Sequence, residues 1–89
     1  MKAVISVIGK DMVGILAKVS GECEKDNMNV LEVSQTLLQD MFAMIMLVDI
    51  SKGNVSLAEF AEYMEEKGKE NGLSIHVMHE DIFNSMHKI

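Results

Sequence analysis

Residues 3–8, AVISVI, are apolar or β-branched, and both alternating sets of positions are largely apolar. A strand with that pattern is covered on both faces. From Met12 the period changes. Met12, Ile15, Leu16, Val19 and Cys23 recur at helical spacing, with Lys18, Glu22 and Lys25 elsewhere on the helix surface. Asn27 and Asn29 mark the exit, since asparagine tolerates the left-handed conformation that ends helices. Residues 29–38, NVLEVSQTLL, alternate: Leu31, Val33 and Leu37 share one face, and Glu32, Ser34 and Thr36 share the other. That alternation predicts a half-exposed strand. Gln39-Asp40 supplies a tight turn. Residues 42–50, FAMIMLVDI, are again apolar on both faces, and SKGN breaks the pattern. Ser56 and Glu59 fit a capping box for a second helix, whose apolar stripe is Leu57, Phe60, Ala61 and Met64. Asn71-Gly72 ends it. The final strand, LSIHVMH, puts Leu73, Ile75 and Val77 together.

The predicted order is βαββαβ. Strands one and three, apolar on both faces, belong in the middle of a sheet, and strands two and four, each with one polar face, belong at its edges. The sheet order is then 4-1-3-2. Right-handed crossovers place both helices on one face of an antiparallel sheet, a ferredoxin-like α+β sandwich. Two helices cover only one face, so either Met44 and Met46 or Ile45 and Leu47 point to the uncovered side, and an exposed apolar stripe of that kind marks association. The domain is expected over residues 1–79. Residues 80–89 form an extension with a short helix capped by Asp81, and Ile82, Met86 and Ile89 line one side of it. Whether this extension covers its own sheet or a neighbour's stays open at this point.

The chain has 89 residues and a formal net charge of −6, and its eight basic residues are all lysines. Without arginine's bidentate fork or a basic face, direct nucleic-acid binding is not expected. The few aromatics, Phe42, Phe60, Tyr63 and Phe83, offer little for base stacking. A single cysteine excludes an intramolecular disulfide, and its place on the first helix's apolar stripe reads as a buried structural thiol. No apolar run reaches membrane-spanning length, and MKAVISVIGKD lacks a small-residue cleavage site, so a cytoplasmic protein without membrane contact is expected. His76 and His79, three apart on a strand, point to opposite faces, and no metal is expected. No nucleophile–base or acid–base pair stands out, so neither catalytic residues nor a cofactor is expected. An acylphosphatase on this fold would need a phosphate-binding arginine, which is absent.

The segment with chemical promise is SVIGKDMVGIL, Ser6 to Leu16, which joins the first strand to the first helix. Unpaired N–H groups and partial positive charge at a helix N-terminus suit a carboxylate. Gly14 lets a ligand approach the backbone closely. Asp11 has two readings: it caps the helix, or it holds an α-ammonium.

With the loop and the element order in hand, the chain resembles the ACT domain family. GKDMVGIL, NVLEVSQT and FAMIMLVDI sit where that family places them, over roughly residues 2–79. The chain is most similar to small stand-alone members and to the ACT units of glycine-cleavage regulatory proteins. The resemblance implies a homodimer or higher homo-oligomer. It also implies a small-molecule ligand, usually an amino acid, bound where one protomer's first loop meets the other's second strand. On this pattern the ligand-binding positions are Gly9, Lys10, Asp11, Met12, Val13, Gly14 and Ile15, joined by Asn29 of the partner. Val13 departs from the proline common at its position and leaves a less rigid loop. One domain consumes the chain, so a regulatory module of this kind acts through a regulated protein partner or its own oligomeric state. The alternative is a purely structural oligomerisation domain that binds no ligand.

Overall fold

A computed structural model of the protein describes residues 1–10 and 14–86, with only the backbone of Leu38. The elements run β1 (Lys2–Gly9), α1 (Ile15–Lys25), β2 (Asn29–Leu38), β3 (Met41–Asp49), α2 (Leu57–Glu70), β4 (Ser74–His79) and α3 (Glu80–Met86). The four strands form one antiparallel sheet in the order β2-β3-β1-β4, the predicted 4-1-3-2 read from the other edge.

Register decides which side chains meet. Ile5 lies opposite Met46 on one side and Val77 on the other, and Val7 lies between Met44 and Ile75. These rows face the helices. Val19 and Cys23 of α1 and Phe60 and Met64 of α2 close over them, and all are at most 2% exposed. The choice the sequence left open therefore falls on Met44 and Met46, both fully buried, while Ile45 is 42% exposed on the opposite face. β2 is less well covered. Val33 and Leu37 oppose Met46 and Phe42 on the helix side, yet stay exposed on this edge strand. A bulge between Val30 and Glu32 places an extra residue, Leu31, in that strand.

The helix ends are built as the sequence signals suggest. Ser56 Oγ accepts from the Glu59 N–H at 3.2 Å and donates to Glu59 Oε1 at 3.1 Å. Both long helices stop in the same way. Asn27, at φ 58°, lets the Met28 N–H reach the Cys23 carbonyl, and Gly72, at φ 71°, lets the Leu73 N–H reach that of Gly68. Gly68 also sits tight against β4, where a methyl would meet Ile75 and the Leu73 carbonyl. After β4 the chain enters α3 directly. Asp81 lies inside its first turn rather than capping it, and the Asp81 N–H donates to His79 Nδ1 at 3.0 Å. α3 lies across the second face of the sheet, beside β1 and β4. Ile82 and Met86 stay exposed there, and Ile89 falls outside the described residues.

Phe60 is the large side chain that joins α2 to the sheet, and it is fully buried. Phe60→Ala is expected to lower unfolding free energy by about 3–5 kcal/mol in urea denaturation.

Candidate functional site

The loop between β1 and α1 is where the resemblance puts ligand chemistry. Asp11, Met12 and Val13 lie outside the described residues, so the geometry comes from its two shoulders. Gly9 ends β1 opposite Phe42 and is buried. A Cβ there would run into Leu73 Cδ2, so this glycine has a packing reason independent of any ligand. Lys10 is exposed. Gly14 occupies the N-cap position at φ 73° and ψ 4°, with nothing among the described residues within 4 Å of where its Cβ would lie. Its requirement is conformational, since left-handed backbone disfavours residues with a Cβ. The cap position is thus Gly14 rather than Asp11, and the helix starts three residues later than the Met12 period predicts.

A glycine cap has no side chain to offer. The first backbone bond into the helix runs from the Lys18 N–H to the Gly14 carbonyl at 2.9 Å. The opening of α1 carries no acidic residue in its first turn and, among the described residues, no side-chain cap bond. Ile15 is buried at 3% exposure, so it presents its backbone here and its side chain to the core.

Asn29, the remaining residue of the set, is not brought to this loop within the chain. It pairs with Asp49, whereas Gly9 pairs with Phe42. Those two positions lie at opposite ends of β3, about 23 Å apart at about 3.3 Å per residue. Gly9, Lys10, Gly14 and Ile15 cluster at one end of the sheet, and Asn29 marks the other.

Two further sites appear that the sequence did not signal. Cavities of 240 and 350 Å³ lie between α1 and α2 and share Glu22 as a wall. One Glu22 carboxylate oxygen is occluded there without a hydrogen-bond partner among the described residues. Tyr63 interacts with the same carboxylate, and that hydrogen bond, ahead of desolvation, raises its hydroxyl above the ordinary tyrosine value. On β4, Ser74 Oγ lies 3.3 Å from His76 Nε2, and His76 Nδ1 lies 3.3 Å from Glu65 Oε1. The order serine–histidine–carboxylate is that of a nucleophile and its base, and only the strand–helix contact assembles it. His76 and Glu65 are about half exposed, at 54% and 50%. Water at such an edge removes the low-dielectric, donor-lined cavity that acyl transfer requires. These residues form a surface polar network between the edge strand β4 and α2.

Cys23 is fully buried, and its thiol is pushed up to about 11, by burial first and then by Asp26 and Glu22. Between the ordinary thiol value of 9.0 and that value, the unfolded chain has lost a proton that the folded chain keeps. Stability therefore falls as pH rises through this window and is untouched by the thiol below it. Tyr63 acts in the same direction at the upper end. Urea denaturation between pH 7 and 11 checks this, and Cys23→Ala is expected to flatten the early part of the decline. Gly14→Ala is expected to cost about 1–2 kcal/mol in the same measurement, because alanine disfavours positive φ.

The chain matches the family model described as "ACT domain" over residues 2–78. It is 49% identical to a UPF0237 protein of Clostridium perfringens over 89 residues, all of both chains. The structure of an ACT domain protein from Streptococcus pneumoniae superposes with a TM-score of 0.82 at 34% identity, covering 93% of each chain. A protein assigned as a glycine cleavage system transcriptional repressor shares the fold, with a TM-score of 0.70 at 21% identity, over 85% of this chain and 43% of that one. A βαββαβ sheet in the order 2-3-1-4, with a glycine-capped first helix, thus has its sequence counterparts along the full length of the chain, and the protein belongs to the ACT domain family.

Proposed function

We propose that this protein is an amino-acid-binding regulatory module whose ligand site is completed by a second copy of the chain. ACT domains are generally regulatory modules that bind small molecules. The reading given to this member is a free amino acid held by its carboxylate at the opening of α1, with Asp11 taking the α-ammonium and Asn29 of the partner closing the site. Catalysis has no part in it, and the output passes through a protein partner or the assembly itself.

The observation that carries this reading is the separation of Asn29 from the loop. β2 has one free edge, because its other edge pairs with β3. An antiparallel copy added to that edge sets its own strand start against Leu37 at the end of β2. Leu37 pairs with Phe42, and Phe42 pairs with Gly9. The partner's Asn29 then arrives at the same end of the sheet as Gly14. The distance that divides the site within one chain is thus removed by pairing two. The first-turn amides of α1 supply donors for a carboxylate, and Lys10 adds positive charge to the same connection.

Calorimetric titration with each of the twenty amino acids is expected to give saturable heat for one or a few. Asp11→Ala and Asn29→Ala are each expected to weaken that binding at least tenfold, with thermal stability little changed. Binding that survives both substitutions, or no heat from any amino acid, overturns the reading and leaves the structural oligomerisation domain.

A further inference from the structure

We infer that the cleft between α1 and α2 is a binding site for a small aromatic carboxylic acid that also carries an O–H or N–H donor. The site is complete within one chain. It uses neither Asp11 nor a partner's strand, so it stands apart from the ligand reading above.

Three observations carry it. The first is the cavity of 240 Å³, which begins one turn beyond Gly14. Val19 of α1, Met64 of α2, and Leu73 and Ile75 at the start of β4 give it an apolar floor. Val19, Met64 and Ile75 are at most 4% exposed, so the core holds that floor in place. Sites for drug-sized ligands run from roughly 300 to 1,000 Å³, and this one takes a smaller molecule. The Met64 thioether in the floor favours an aromatic ring.

The second is charge. The chain carries −6, yet this cavity is walled by two lysines, Lys18 and Lys67, against one glutamate, Glu22. Neither lysine forms an ion pair among the described residues. Lys18 precedes Glu22 by one turn, a spacing at which side chains can meet, but that carboxylate is turned to Tyr63 and Lys25 instead. Lys67 Nζ lies 6.0 Å from the centre of the Tyr63 ring. Two ammonium groups on opposite walls, with no carboxylate paired to either among the described residues, suit a ligand carboxylate between them. The third is the orphaned oxygen of Glu22. Oε2 is sealed from water and accepts no hydrogen bond among the described residues. Lys25 Nζ, at 4.0 Å, is beyond hydrogen-bond reach, and its side chain is 70% exposed. An occluded carboxylate oxygen in that state lacks a donor. Rotation about the last bond of a glutamate is soft and can turn the oxygen into the cavity. A ligand with an O–H or N–H away from its carboxylate supplies the partner, and that requirement separates it from a plain aryl acid.

Backbone-amide NMR on the full chain, titrated with para-hydroxyphenylacetate, tests this. Saturable shifts are expected at Val19, Glu22, Leu73 and Ile75. Lys18→Gln and Lys67→Gln, both surface changes, are each expected to weaken binding about tenfold, as loss of one charge-assisted hydrogen bond does. Glu66→Gln, on the exposed side of α2, is expected to leave it unchanged. The analogue para-methylphenylacetate keeps ring and carboxylate but has no donor, and it is expected to bind more weakly by a similar factor. Absence of shifts in the cleft, binding indifferent to Lys67→Gln, or equal affinity for the methyl analogue overturns the inference. Lys67 lies on α2 and outside the loop, so failure here leaves amino-acid binding through Asp11 and Asn29 standing, and failure there leaves this site standing.

Discussion

A four-stranded sheet with two apolar faces and helices enough for one is the constraint on which this structure turns. β1 and β3 are central, so neither can turn a polar face to water without leaving a neighbour's side chains uncovered. Their helix side holds the densest part of the core, where Ile5, Val7, Met44 and Met46 meet Phe60 and Met64. The methionines suit this layer, because an unbranched side chain fills the irregular space between a twisted sheet and two helices. Their opposite side carries Ile8, Ala43, Ile45 and Leu47, which α3 shelters only in part.

That asymmetry organises the rest of the molecule. The helices need sharp exits to lie over the sheet and return the chain to it, and both long helices obtain them from one left-handed residue and a backbone bond into the last turn. The same layout sets the first helix's opening at the end of β1 and the start of β2 at the far end. Crossover connections of this kind always separate those two points within a chain, so a site that uses both is built by symmetry rather than by folding.

The scaffold was largely legible in the chain. Two doubly apolar strands among four ranked themselves as central, the Ser56–Glu59 spacing marked a helix start, and Asn27 and Gly72 marked the ends. The loop was less legible. Met12 continues the helical period on paper, yet the cap position belongs to Gly14, because hydrophobic spacing reports which side of a chain is buried and not where positive φ interrupts it. Gly9 read as a loop glycine and has its reason in Leu73, a residue distant in sequence. The Ser74–His76–Glu65 network escaped notice because its acid lies on another element.

By itself, the sequence determined the order of elements, the sheet topology and the family resemblance, since these follow from local periodicity, capping chemistry and short motifs. Tertiary structure decided which face of β3 enters the core, where α3 settles and how far Asn29 stands from the loop. Those outcomes depend on strand register and on which surfaces compete for the same helices. Periodicity of two assigns side chains to alternate faces, but only the packed sheet tells one face from the other.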